Sequence, residues 1–537
     1  MRRLAVVLCA LLALPLLGVF GAWLAPQAQS LELLRHQAAT VLPGYALSSL
    51  LLALGVAIGV ALLGGATAAA VSLFDFPGRR VFEWALLLPL AMPAYVLAYA
   101  STDFLQYSGP LQTTLRALTG AQGPLWPDVR SLPGAIVLFT LALYPYVYLL
   151  TRGALMERGL HLMEAARLLG AGLGRRVRAV ALPLARPALA AGVALALMET
   201  LADYGVGSYF GLTTFTTGIY KAWLAMDDRI AAAQLATLLL LVVALLLWAE
   251  RRAQRRLRYA SSRAGAAARE GRPVPLHGRR AVLAFSLCAV PVLLGFVLPV
   301  AVLLRAVWLE ARHGEFGLPW LRFAGWAWTS LQLATIAALA AVALAVLLAF
   351  VLRGRAGGAV RPLARLVSLG YAVPGAVIAV GLLLPVGWVQ AAAPGSSASA
   401  WVTAAATGSI GGLLYAYLVR FSAVALQSVE AGYARIPASF DDTARTLGAG
   451  GGRLFFGVHA PLLTRSALAA ALLVFVDVMK ELPATLVLRP FNSDTLAVVA
   501  YQFARDERLA EAALPSLAIV LVGLIPVLLL SRAMRVR

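Results

Sequence analysis

Twelve runs of apolar residues divide this chain, and no other feature constrains its fold as tightly. They lie near 4–24, 47–72, 82–101, 134–151, 187–204, 230–249, 281–307, 328–352, 366–386, 401–419, 465–483 and 514–531. Each is about 18 residues or longer, the length a helix needs to cross a bilayer. In lipid every backbone polar group must find its partner within the chain, which a helix achieves by itself. The expected fold class is therefore all-α: a polytopic membrane protein with about twelve transmembrane helices. Composition agrees, at 61% hydrophobic and 13% charged, where soluble domains run at about 45–50% and 25%.

The net charge of +21 could suggest a nucleic-acid partner, but no soluble basic domain exists to carry one. Its distribution fits a membrane instead. If twelve spans alternate from a cytoplasmic N-terminus, most of the 45 Lys and Arg fall on the side that holds both termini. That is the positive-inside bias, and it orients the chain. The start, Met1-Arg2-Arg3 before an apolar run, has the form of a signal peptide; the length of the run favours an uncleaved first span. Cys9 and Cys288 fall in different spans and offer neither a disulfide framework nor a zinc spacing.

One long polar interruption, 251–280, begins Arg251-Arg252-Ala253-Gln254-Arg255-Arg256. It reads as a basic cytoplasmic linker beside anionic headgroups. It parts the chain into two halves of six spans, 1–250 and 281–537. The halves repeat. Glu164-Ala165-Ala166-Arg167-Leu168-Leu169-Gly170, leading to Pro183, is answered by Asp442-Thr443-Ala444-Arg445-Thr446-Leu447-Gly448, leading to Pro461, at a constant offset of 278 residues. An offset of that size means a duplicated half-protein. The third span repeats as well, with Met92-Pro93 answered by Val373-Pro374, and proline inside a span bends it.

Both repeated stretches, near 158–186 and 433–464, fall in cytoplasmic segments between the fourth and fifth spans of their half. Leu162, Ala166 and Leu169 share one helical face, Gly170 can end that helix in left-handed geometry, and a short amphipathic piece from Arg175 to Ala181 follows. A helix–glycine–helix elbow held at constant spacing reads as a docking element.

These stretches resemble the Glu-Ala-Ala loop of the binding-protein-dependent ABC importer permeases. Glu164, Ala165, Ala166 and Gly170 match in the first copy; Asp442, Ala444 and Gly448 match in the second, where Thr443 replaces the first alanine. The resemblance implies a coupling helix seated in a separate ATPase, two ATPase copies for two loops, a periplasmic binding protein as outer partner, and a place in the bacterial inner membrane. The double length resembles the iron(III) and thiamine importers. Met198 to Gly205, Thr213 to Tyr220 and Val478 to Leu486 look like the iron(III) type. The chain itself supplies no motor: its two lysines, Lys221 and Lys480, do not follow a phosphate-binding glycine loop. No catalytic constellation or cofactor is expected, and no permanent metal site.

Charges inside spans are costly and mark polar interiors. The fifth span ends with Glu199 and Asp203, the eleventh with Asp477, Lys480 and Glu481. The offset of 278 relates Glu199 to Asp477 and Asp203 to Glu481, each pair lying on one helical face. Two readings are open. The carboxylates line a path suited to a hard cation, or they are structural, with Lys480 neutralising Asp477 or Glu481. An ion-driven secondary transporter of six plus six spans is the alternative class, but it has no motor for paired elbows to meet.

Overall fold

The computed structural model describes residues 2–23, 28–261, 273–313, 318–354 and 360–535. Within the linker, residues 262–272 lie outside the described residues. Among the described residues, eleven helices are long and apolar enough to cross a membrane, or twelve when one bent pair is counted as a span. That pair, Arg79–Ala91 and Ala94–Thr119, turns through 93° at Met92-Pro93. The physical cause is local. Proline drives the residue before it out of helical geometry, and Met92 is extended at φ −99°, ψ 118°. Val373, before Pro374, is extended in the same way at φ −80°, ψ 126°. In both copies the proline thus ends one helical piece and caps the next, Ala94–Leu105 or Gly375–Ala392.

The duplication is written into the backbone. Leu173–Arg176, a π turn at Val177–Ala181 and the helix Leu182–Ala202 are answered by Gly451–Leu454, Phe455–His459 and Ala460–Lys480. Every boundary is displaced by the same 278 residues. The piece expected as a separate amphipathic helix before Pro183 is instead the start of the fifth span. A proline ring clashes with the carbonyl four residues back. For Pro183 and Pro461 that carbonyl lies inside the π turn, whose wider ring makes room for it, so neither proline breaks the helix.

The chain forms two compact units, and they are not the sequence halves 1–250 and 281–537. One consists of Thr40–Thr217, Leu241–Pro319 and Ala500–Arg537. Its centre is the trio Leu42–Leu73, Leu132–Leu168 and Leu182–Ala202, with Leu298–His313 against Leu509–Arg535 beside it. The other consists of Met1–Ala39, Gly218–Leu240 and Trp320–Val499. Its centre is the corresponding trio Trp320–Arg353, Ile410–Tyr433 and Ala460–Lys480, and Arg2–Gly18 packs on Gly375–Ala392. Each unit therefore contains helices from both halves of the sequence. Between apolar helices in lipid, close packing of small residues decides partners more than chain order does. A Cβ on Gly381 would sit 2.0 Å from the Pro15 carbonyl oxygen, and one on Gly18 2.7 Å from that of Gly381. The first helix of the chain approaches that backbone only because both positions are glycine. The linker's far end is pinned in the Thr40–Thr217 unit, where Val274–Pro275 pairs parallel to Phe74–Asp75.

Candidate functional site: two elbows and two acidic helix ends

The elbows close alike. Gly170 has φ +80° and Gly448 φ +78°, a region open to glycine and costly for other residues. Past each glycine the chain folds back onto the helix end. The Ala171 N–H donates to the Ala166 carbonyl at 3.0 Å and the Ala449 N–H to the Ala444 carbonyl at 2.9 Å, the closing bond of a Schellman end. The alanines of the motif thus hold the turn from which the glycine projects. Glu164 and Asp442 are exposed beside it, and Asp442 meets Arg445 at 3.7 Å. At the tips, Leu168 and Leu169 are 89% and 88% exposed and Leu447 81%.

The elbows differ in how they are attached. The first is the end of one 37-residue helix, Leu132–Leu168. Behind it, Leu155, Met163 and Ala181 are buried in an apolar cluster with Leu73 and Ala185. The second is a separate helix, Ala438–Thr446, entered through Pro437. The positions 278 residues after Leu155, Met163 and Ala181 are Tyr433, Asp441 and His459, and the apolar cluster becomes a polar joint. Arg353 donates through Nε and Nη2 to both carboxylate oxygens of Asp441, at 2.8 and 3.0 Å. It also donates to the carbonyls of Tyr433, Ile436 and Pro437 at 3.0–3.1 Å. Around the break the Tyr433 carbonyl takes the Ile436 N–H at 3.0 Å and the Pro437 carbonyl the Phe440 N–H at 3.3 Å, turn bonds in place of a continuous helical ladder, so one guanidinium ties the helix end and the new helix together. His459 Nε2 lies 3.0 Å from Asp441 Oδ1, and its Nδ1 3.3 Å from the Tyr433 hydroxyl. Burial raises the Asp441 pKa, but the hydrogen bonds and charges of Arg353 and His459 outweigh it and hold the carboxyl below its ordinary value.

The acidic ends also diverge. Asp203 and Glu481 each stop their span and cap the short helix that follows. The Val206 N–H donates to Asp203 Oδ1 at 2.7 Å, at the start of Gly205–Tyr209. The Ala484 and Thr485 N–H groups donate to Glu481 at 2.9 and 3.0 Å, at the start of Pro483–Leu488. An acidic oxygen satisfying the free N–H groups of a helix start is ordinary capping. Glu481 goes further: it is 4% exposed, accepts from the Thr485 hydroxyl at 2.6 Å and pairs with Arg420 at 3.0 Å. The sequence offers Lys480 as a neutraliser of Asp477 or Glu481; in the structure Arg420 pairs with Glu481. Arg420 follows directly on the apolar run 401–419, but the helix runs Ile410–Tyr433 and buries it in the middle. The tenth run is the least hydropathic of the spans, a trace of this residue. Asp203, by contrast, has no ion-pair partner among the described residues. Glu199, one turn earlier, interacts with it electrostatically. Glu199, Asp477 and Lys480 are all half-buried.

The comparisons with known proteins agree with this architecture. Residues 61–259 match the family described as binding-protein-dependent transport system inner membrane component. An Fe(3+)-transport system permease protein of Haemophilus influenzae is 25% identical over 492 residues, 90% of this chain and 89% of its own length. A sulfate transport system permease protein of Salmonella typhimurium is 28% identical over 180 residues, 33% of this chain and 63% of that protein. A molybdenum transport system permease protein of Escherichia coli is 29% identical over 130 residues, 24% of this chain and 55% of that one. The family works in the bacterial inner membrane with ATPase and binding-protein partners. Residues 61–259 thus form a permease domain of that family, and the whole chain, all-α with paired elbows, is similar to the binding-protein-dependent ABC importer permeases of double length.

Proposed function

We propose that this permease carries ferric ion, handed over by a periplasmic binding protein, and that two copies of a separate ATPase dock on its two elbows. The observation that carries the cargo reading is length. The similarity to the ferric permease runs through both halves, whereas the sulfate and molybdenum permeases match about a third of the chain or less. Chemistry supports it: acidic side chains at Glu199, Asp203 and Asp477 suit a hard cation and would repel an oxyanion. The elbows Glu164, Ala165, Ala166, Gly170 and Asp442, Ala444, Gly448 are read as the ATPase contacts, which places them and both termini in the cytoplasm. Thiamine is the second cargo reading, since the fused double length resembles thiamine importers too.

The test is iron-55 uptake in cells expressing the chain with its partner subunits, with labelled thiamine, sulfate and molybdate as parallel arms. Iron uptake that disappears when the chain is deleted supports the proposal. Accumulation of any other arm in place of iron overturns it.

A further inference from the structure

The uncompensated Asp203 is surrounded by phenols. Tyr95 and Tyr99 lie 5.7 Å apart between ring centres, Tyr99 meets Tyr209 edge-on at 4.7 Å, and Tyr204 and Tyr501 lie at 5.7 Å. All belong to the Thr40–Thr217 unit. The Tyr99 phenol interacts electrostatically with Tyr95, Asp203, Tyr209 and Tyr501 together, so these oxygens share one neighbourhood. The Tyr501 hydroxyl bonds to Ser208 at 2.8 Å and to Tyr204 at 3.4 Å. Arg130 donates to the Tyr209 hydroxyl at 3.3 Å and pairs with Glu507, which occupies that phenol and that cation.

Tyr99 differs from Tyr209 and Tyr501: it is 1% exposed, and its oxygen has no hydrogen-bond partner among the described residues. A buried hydroxyl without a partner is costly, so phenylalanine would fit this place better if packing were the whole story. Asp203, Tyr204 and Ser208 are half-buried while Tyr99 and Tyr501 are closed off, so the open side of the cluster is the one that carries Asp203. Among the described residues no group of three or more His, Cys, Asp or Glu gathers as a metal site; here most of the oxygens are phenolic.

We propose that Tyr99, Asp203 and Tyr501 form a transient oxygen-donor site for ferric ion, an inference that rests on the cation cargo proposed above. Carboxylate and phenolate are hard donors matched to a hard trivalent ion. Entry breaks the phenol O–H bond of Tyr99 and forms an Fe–O bond; the proton leaves to water on the open side and iron keeps its oxidation state. Coordination with proton release is ordinary for metal ligands. With few protein donors, exchange stays open in both directions.

The probe is ferric nitrilotriacetate, added to the full-length chain in lipid nanodiscs. Phenolate bound to ferric ion gives a visible charge-transfer band. The wild type should show it on titration. Tyr99→Phe should weaken that titration roughly tenfold or more with a thermal unfolding midpoint no lower than that of the wild type, because no hydrogen bond is lost and an unpaired buried hydroxyl is removed. Tyr501→Phe should weaken it too, whereas Glu481→Gln should leave the band in any chain that folds. A band unaltered in Tyr99→Phe overturns the site. A wild type that supports iron-55 uptake without any band overturns the site and leaves the cargo reading standing. Cells that take up no iron overturn the cargo reading on which it rests.

Discussion

The two copies share a backbone almost residue for residue and fill it with different chemistry. From the elbow glycine to the end of the next span, helix boundaries, the π turn and the left-handed glycine recur at one offset. Yet the joint behind the first elbow is Leu155, Met163 and Ala181, and behind the second Tyr433, Asp441 and His459. The acid at the end of the first span of the pair is Asp203, without an ion-pair partner among the described residues; at the end of the second it is ion-paired Glu481. Backbone geometry is fixed by what both copies must do, to turn at a glycine and pass a proline. Side chains are free to diverge wherever another element can satisfy them, as Arg353 and Arg420 do.

The largest expected difference is at the acidic ends. Arg420→Met leaves Glu481 buried without its cation, and breaking a buried pair costs about 3–5 kcal/mol. Asp203→Asn keeps a capping oxygen and removes no ion pair, so its cost should stay below about 1 kcal/mol. Thermal unfolding of both variants in the same detergent checks the order. Adding Glu481→Gln to Arg420→Met should recover much of the loss. Equal destabilisation by Arg420→Met and Asp203→Asn would break the comparison.

Next come the elbow tips. The first offers two nearly bare leucines and the second one. Covering a leucine contributes about 1.5–3 kcal/mol. Leu168→Ser with Leu169→Ser should therefore weaken ATPase association by about 3 kcal/mol or more, and Leu447→Ser by about half of that. Titration of purified ATPase onto the permease in nanodiscs reads the two directly. Equal losses would mean that the tips are not the contact.

The glycines should behave alike in both copies. No atom lies within 4 Å of a Cβ placed on Gly170 or Gly448, so substitution meets only the backbone cost of about 1–2 kcal/mol. Gly170→Val and Gly448→Val should insert normally and lose ATPase binding to a similar degree. A variant of either that binds the ATPase as the wild type does would remove that elbow from the docking scheme.

What the sequence made legible follows from which physics is local. The number of spans, the Pro93 and Pro374 breaks and the glycine turns depend on neighbouring residues and were readable, while span ends such as those of Ile410–Tyr433 and Leu173–Ala202 were not. The acidic pairs were readable as a repeat but not in their roles. Arg420 lies 61 residues from Glu481 and Arg353 88 from Asp441, and nothing in the local pattern of either arginine names its partner. The exchange of Met1–Ala39 and Ala500–Arg537 between units was hidden for the same reason, since it depends on close approaches such as Gly18 with Gly381. The phenol cluster left a fainter trace. Tyr95, Tyr99, Tyr204 and Tyr209 stand near the ends of two repeated elements, but their second-half counterparts are apolar, so the repeat alone did not mark them.

The smallest expected effect separates the elbows by acid. Asp441 is held below the ordinary carboxyl value of about 3.9 by Arg353 and His459 against the opposing pull of burial. A depressed folded pKa adds stability that is fully present above the unfolded value. That stability is lost as pH falls through the folded one. The polar joint should thus loosen only as the pH falls below the ordinary carboxyl value of about 3.9, while the apolar joint of Leu155, Met163 and Ala181, which contains no titrating group, should not. Amide exchange of the 438–446 and 162–168 segments, corrected for the intrinsic pH dependence of exchange, measures the two side by side in one protein. Acid should speed exchange in 438–446 alone, and Asp441→Asn should remove most of that excess by abolishing the titration. The amide still accepts from Arg353, but without charge, so the variant should sit from the outset near the acid state of the wild type. An equal acid response in both segments would show that the joint chemistry does not govern elbow stiffness, and the two copies would then differ in composition without differing in mechanics.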